Sequence, residues 1–202
     1  MELIHNAMSP FGRKVRAVAH EIGIAERVRL TEVRSRQDPD KIQPFNPLGK
    51  IPVFISDAGA VLYDSSVICE FLIAEFGDHR LLPRHGMRRW EILTLAALAD
   101  GILEAGISVR YERARPADEQ SASAVSWQLG KIEAGLGRLD ATVDQFGDTL
   151  DLGQIGVACA LGYLPLRIDE CAGLLRWPRL AQWYERIGRR PSLRDTAPAA
   201  GA

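Results

Sequence analysis

Residues 46–66 read NPLGKIPVFISDAGAVLYDSS, and this stretch decides the fold. Asn46-Pro47-Leu48-Gly49 is a turn signal, because Pro fixes φ while Asn and Gly accept turn geometries closed to most residues. Lys50-Ile51-Pro52-Val53-Phe54-Ile55 follows as a short apolar strand with a proline at its mouth. Proline has no N–H to give a ladder, so it belongs at a strand start or an edge. Asp57-Ala58-Gly59 reverses the chain, and Val61-Leu62-Tyr63 makes the partner strand of a hairpin. Asp64-Ser65-Ser66 then caps a helix carrying Val67, Ile68, Phe71, Leu72 and Phe76, which Gly77 closes.

Upstream lies a second compact unit. Glu2 to His5 reads as an opening strand, and Ser9-Pro10 starts a helix with Ser9 at the N-cap and Pro10 in the first turn. Val15, Val18, Ala19 and Ile22 recur at helical spacing until Gly23 stops them, and Val28, Leu30 and Glu32 suggest a second strand. The first part is therefore β-α-β followed by β-β-α, an α/β domain over residues 1–78. Residues 78–86 form a polar linker with Pro83 and Gly86, and the remainder reads as an all-α helical domain over 86–202. Its helices are expected at Trp90 to Arg115, Glu119 to Phe146, from Asp151 onward, and at Leu180 to Ile187. The small-residue tail from Thr196 to Ala202 is expected to be disordered.

Composition narrows the function classes. Hydrophobic residues make up 47% and charged residues 25% of the 202, as in ordinary globular proteins. A formal net charge of -1 gives no reason to expect nucleic acid or an anionic membrane as a partner. Cys69, Cys159 and Cys171 are odd in number and widely spaced, which suggests neither a disulfide framework nor a zinc knuckle. The four histidines show no ligand spacing, so no metal is expected. The N-terminal MELIHNAMSPFGRK lacks the apolar run of a signal peptide. No segment was expected to supply the roughly 20 apolar residues that span a bilayer. The chain reads as cytoplasmic.

Chemistry has three places to sit. Ser9 stands where free backbone N–H groups and the helix dipole favour an anion; it serves either as a cap or as a hydroxyl beside a thiolate. The Ile51-Pro52 bond is either trans at a strand start or cis. In the cis form the backbone of Ile51 would turn outward and offer N–H and C=O to an extended peptide. Asp64-Ser65 is either a double cap or a receptor for an amino acid head group, which carries both an ammonium and a carboxylate.

Their order carries more than each alone. Ser9-Pro10-Phe11, then Asn46-Pro47-Leu48-Gly49-Lys50-Ile51-Pro52, then Tyr63-Asp64-Ser65-Ser66 resembles the glutathione-binding domain of cytosolic glutathione transferases of bacterial type. Ala99-Asp100-Gly101, Tyr111 to Pro116, and Leu152 through Leu164 are similar to the C-terminal domain of that family, so the resemblance covers nearly the whole chain. It implies a thioredoxin-like first domain, with Pro52 as the cis-proline and the Ile51 backbone pairing with the cysteinyl part of glutathione. Asp64 and Ser65 would bind the γ-glutamyl group, and Lys50 the glycine carboxylate. Ser9 matches the serine that, in several branches, donates to the glutathione thiolate; Asn6 is a distant second. Cysteine and tyrosine are absent from positions 6–13, which disfavours the thiol-bearing branches. The implied electrophile pocket between the domains would draw on Met8, Phe11, Arg110 and Tyr111. Glutathione would be the co-substrate and a homodimer the assembly. A glutathione-dependent disulfide reductase and a non-catalytic regulatory protein of the same fold are the rival expectations. Asp151 and Gln154 are expected to be structural, with Asp151 as cap and Gln154 reaching back to the N-cap amide.

Overall fold

The computed structural model describes residues 1–77, 79–174 and 176–198. Two compact units emerge: Met1–Arg89 together with the segment beginning at Pro191, and Trp90–Arg190.

The first unit is built on a four-stranded sheet of β1 (Glu2–His5), β2 (Arg29–Glu32), β3 (Val53–Ile55) and β4 (Val61–Leu62) in the order β2-β1-β3-β4. β1 runs parallel to β2, with Glu2 opposite Arg29 and His5 opposite Glu32. β3 is antiparallel to both neighbours, with Ile4 opposite Val53 and Phe54 opposite Leu62. The period of two sends Leu3 and Phe54 to one face and Ile4 and Val53 to the other, and all four are buried. Phe54 meets Phe71 of the helix α3 (Ser65–Phe76), which packs beside α1 (Pro10–Glu21). Ile4 and Val53 cluster with Val33 and with Ile42 of α2 (Pro39–Ile42). Covering both faces explains why β1 and β3 are apolar on both sides. The α2 turn replaces what reads in sequence as a polar loop; Pro39 at its first position and Ile42 in the core suffice to form it.

The second unit holds most of α4 (Met87–Arg113) with α5 (Ala122–Thr142), α6 (Leu152–Arg167) and α7 (Pro178–Ile187). Each long helix expected here is present, and the second is shorter than expected. Its margins are 3-10 turns at Ala117–Glu119 and Val143–Gln145, and Ser121 caps α5 by accepting from Ala124 N–H at 3.2 Å. Every residue of α6 from Leu152 to Leu161 is buried. It approaches α4 closely because Gly153 and Gly156 face it: a Cβ at Gly153 would stand 2.9 Å from the Ile92 carbonyl oxygen. Asp151 caps α6 by accepting from Gln154 N–H at 2.9 Å, as expected. The Gln154 side chain departs from the expected reach to the N-cap amide. It donates to the carbonyls of Gly147 and Thr149 instead, pinning the preceding loop.

Two further expectations change, for a membrane-length apolar run and for the tail. By length and composition α4 is apolar enough to cross a bilayer, contrary to the sequence reading. Its Ile92, Ala96, Ala99, Ile102 and Leu103 are buried within the unit, which accounts for the apolar run. The tryptophans divide: Trp177 and Trp183 are buried, whereas Trp90 and Trp127 are exposed. The expected disordered tail is ordered at its start, because Thr196 is buried and its hydroxyl donates to the Ser192 carbonyl at 2.6 Å. Ser192 lies in α8 (Pro191–Arg194), which packs on α1, where the Arg13 guanidinium donates to the Leu193 carbonyl at 2.9 Å. Residues 199–202 of that tail, and Asp78 at the expected domain end, lie outside the described residues.

Candidate active site

The strand register gathers the first unit's candidates at one end of the sheet. β1 ends at His5 and leads through Ser9 into α1; β3 begins beside it, so Ile51 and Pro52 enter at the same edge. β4 runs antiparallel to β3 and ends there too, delivering Tyr63 and Asp64. Ser9, Ile51, Pro52, Asp64 and Ser65 thus share one edge of one sheet.

Ser9 caps α1 from extended backbone, and its Oγ accepts from Gly12 N–H at 3.2 Å. A hydroxyl that accepts there still has its own proton to donate. Asn6 is committed to scaffolding: its amide donates to the Val33 carbonyl at 3.2 Å and its oxygen accepts from Met8 N–H at 3.0 Å. Met8 and Phe11 beside it are half-buried.

The Ile51-Pro52 bond is cis. Ile51 precedes the ladder, and among the described residues its N–H and C=O carry no hydrogen bond. The loop before it is fixed from below. Buried Asn46 donates to the Lys50 carbonyl at 2.9 Å and accepts from Leu48 N–H at 3.1 Å, while Gly49 takes a φ of 63°. Lys50 projects as an exposed side chain.

Asp64 caps α3 by accepting from Ser66 N–H at 3.0 Å and remains exposed, whereas Ser65 is buried. The Tyr63-Asp64 bond is also cis. Behind Ser66 lies a residue that sequence reading missed. Lys14 of α1 is 1% exposed, and its ammonium donates to Ser66 Oγ at 3.3 Å, tying α1 to the first turn of α3. The signal was available: Lys14 sits four residues before Val18, on the apolar stripe of its helix. His5 is likewise buried at this edge, with Nδ1 lacking a partner among the described residues. Burial and the nearby charge of Arg16 hold its imidazole below the usual value, against weaker pulls from the Asn6 backbone and Glu32. It is neutral at pH 7.

In the second unit, Arg110 and Tyr111 stand exposed near the end of α4, the guanidinium carbon 5.8 Å from the Tyr111 ring centre. Buried Tyr163 of α6 lies beside them. Burial pushes its phenol up, and the Arg110 guanidinium at its hydroxyl and the charge of Arg167 draw it back. The three cysteines are buried thiols, and burial pushes the Cys171 thiol up to about 11. Among the described residues no His, Cys, Asp and Glu side chains gather as a metal site.

Residues 3–80 match the family model of the glutathione S-transferase N-terminal domain. An uncharacterized GST-like protein of Escherichia coli K12, YibF, is 34% identical over 203 residues, 98% of each chain. A glutathione transferase family member from Pseudomonas fluorescens Pf-5, solved with bound glutathione, is 42% identical with a TM-score of 0.93, each chain covered to 98%. A structure from the same organism with bound S-(propanoic acid)-glutathione is 41% identical with a TM-score of 0.88, covering 98% of this chain and 100% of that one.

Proposed function

The chain belongs to the glutathione S-transferase family, and on that premise we propose that it is a glutathione transferase that activates the glutathione thiolate for attack on small electrophiles. One observation carries the reading: the Ser9 hydroxyl, the unpaired Ile51 backbone and the Asp64-Ser65 helix start converge on one sheet edge. An extended γ-glutamyl tripeptide fits that set. Ile51 pairs with the cysteinyl backbone as an added strand would. The N-terminus of α3 takes the γ-glutamyl carboxylate while the Asp64 carboxylate takes the ammonium. Lys50 faces the glycine carboxylate. The thiol meets the N-terminus of α1, where Ser9 donates to the thiolate and the thiol proton passes to water.

Conjugation is favoured over disulfide exchange. The Pseudomonas relative holds a glutathione whose sulfur carries a propanoic acid group, a thioether. All three cysteines here are buried, which leaves the bound tripeptide as the reactive sulfur. The same reading carries a homodimer acting in the cytoplasm, with Met8, Phe11, Arg110 and Tyr111 toward the electrophile.

Calorimetric titration with reduced glutathione, followed by an electrophile and mixed-disulfide screen, tests the proposal. Micromolar to low millimolar binding with thioether products supports it. Binding with activity only on disulfides favours the reductase. Absence of binding makes the chain a non-catalytic relative.

A further inference from the structure

We propose that Asn46 is a positioning residue for the peptide ligand: by holding the Lys50 carbonyl inward, it aims the Ile51 N–H outward at the cysteinyl carbonyl. The proposal rests on the transferase reading and names what gives that site its backbone donor.

The Lys50 carbonyl and the Ile51 N–H belong to one peptide unit. That bond is trans, since the cis bonds among the described residues are Ile51-Pro52 and Tyr63-Asp64. In a planar trans unit the carbonyl and the N–H point in opposite directions, so fixing one fixes the other. Asn46 Nδ2 donates to the Lys50 carbonyl at 2.9 Å, and Asn46 is 3% exposed. The carbonyl is therefore turned toward a buried amide, and the N–H is turned away from it. Ile51 N–H accordingly carries no hydrogen bond among the described residues.

Asn46 can hold that carbonyl because it is itself held at three other points. Its N–H donates to the Ile42 carbonyl at 2.8 Å, its C=O accepts from Gly49 N–H at 2.9 Å, and its Oδ1 accepts from Leu48 N–H at 3.1 Å. The last two close a turn over residues 46–49, which Gly49 completes with a φ of 63°. The network fixes which way the side-chain amide points: Leu48 N–H only donates and the Lys50 carbonyl only accepts. Ile42 belongs to the core cluster with Ile4, Val33 and Val53, and Ile51 packs against the same cluster. The aim of the Ile51 N–H is thus tied to the core twice, by its own side chain and by Asn46.

Two torsions set the plane of this peptide unit, ψ of Lys50 and φ of Ile51. Pro52 narrows the second, because a residue before proline is confined to extended backbone. The first is left for Asn46 to set. An extended peptide adds to a strand edge only where donors meet acceptors. A Lys50 carbonyl swung outward would bring oxygen against the ligand's carbonyl oxygen, which is worse than losing one bond.

Titration of S-methylglutathione into the wild type and Asn46→Asp tests the assignment; the methyl group keeps ionisation of the thiol out of the comparison. The substitution preserves shape and the acceptor for Leu48 N–H, and it replaces the donor with a carboxylate oxygen that repels the Lys50 carbonyl. At neutral pH the variant is expected to bind at least about tenfold more weakly, the scale of a hydrogen bond lost with its partner left unpaired. On acidification the ratio between the two proteins should close, because a protonated carboxyl donates to that carbonyl again. Hydrogen exchange read by NMR adds a measurement on the wild type, which stands even if the variant fails to fold. The Ile51 amide should exchange quickly in the free protein and be protected by S-methylglutathione. Equal affinity in a folded variant, or a deficit that acid does not narrow, overturns the role of Asn46 alone. An Ile51 amide protected in the free protein, or left unprotected by the ligand, overturns the aim of the N–H. Failure of the wild type to bind both glutathione and its S-methyl form overturns the transferase reading and this proposal with it.

Discussion

Replacing Ser9 separates the cap that it forms from the thiolate contact that we propose for it. As a cap, Ser9 Oγ accepts from Gly12 N–H at 3.2 Å. Losing such a cap to alanine costs about 1 kcal/mol, whereas glycine at the same position costs only a few tenths. For a chain of this length that is a fall of roughly 2–4 °C in Tm for Ser9→Ala and little for Ser9→Gly. As a donor to the glutathione thiolate, the hydroxyl makes a bond to a charged group, about 1.5–3 kcal/mol. Both variants lose that bond equally, so both should raise the bound thiol's pKa by about 1–2 units. Turnover at neutral pH should then fall about tenfold to a hundredfold, while glutathione affinity changes far less. The assay is the ultraviolet absorbance of the thiolate across a pH series, beside thermal melts and kcat for each variant. Ser9→Thr, which restores a hydroxyl, should recover most of the ionisation. If Ser9→Gly melts and ionises bound thiol like the wild type, the hydroxyl does not hold the thiolate and Ser9 is a cap alone.

Other predictions concern stability and reactivity. His5 is held below the usual imidazole value by burial and by Arg16, with the Asn6 backbone and Glu32 opposing. The unfolded chain therefore takes up this proton near pH 6.5 and the folded chain only at lower pH, so stability is lost on acidification between those values. The slope is at most about 1.4 kcal/mol per pH unit, and His5→Gln should flatten it in a Tm-against-pH series; an equal slope would remove His5 as the cause. Gly153→Ala should destabilise by about 1–3 kcal/mol, because its Cβ would meet the Ile92 carbonyl, a backbone atom, at 2.9 Å. Gly137→Ala in open space on α5 should instead stabilise by about 0.5–1 kcal/mol, and urea melts that failed to give opposite signs would contradict the packing argument. Cys69, Cys159 and Cys171 should resist a thiol reagent in the native protein at neutral pH and react on unfolding in guanidinium. Rapid native labelling would show that one of them is accessible.

Where a single residue type dictates local geometry, the sequence was sufficient. Ser9, Asp64 and Gly77 each mark a helix end, and Pro52 excluded a strand interior, so the β-α-β and β-β-α halves could be read with their boundaries. What stayed illegible depends on contacts between distant segments. The turn at Pro39–Ile42 exists because Ile42 completes a core with Ile4, Val33 and Val53. Thr196 is ordered because α8 returns to α1, some 180 residues away in sequence, where Arg13 meets the Leu193 carbonyl. The same limit applied to the site. Asp64 and Ser65 could be named from a capping pattern, and the burial of Lys14 from its helical stripe, but its place beneath them required knowing that α1 and α3 pack together.

Lys14 completes an electrostatic argument about the ligand. Reduced glutathione bound for attack carries two carboxylates and a thiolate against one ammonium, a net negative charge. The sheet edge offers the N-termini of α1 and α3, the exposed ammonium of Lys50 and the buried ammonium of Lys14, with the carboxylate of Asp64 at the head-group position and that of Glu32 at the end of β2. A cation beneath a helix N-terminus opposes the helix dipole and gains nothing for the fold from it. An anion docked above would feel the dipole and the ammonium together. His5, neutral at this edge, adds no further charge. On the transferase reading, backbone groups and charge at this edge serve glutathione, which is the ligand that the titration tests first.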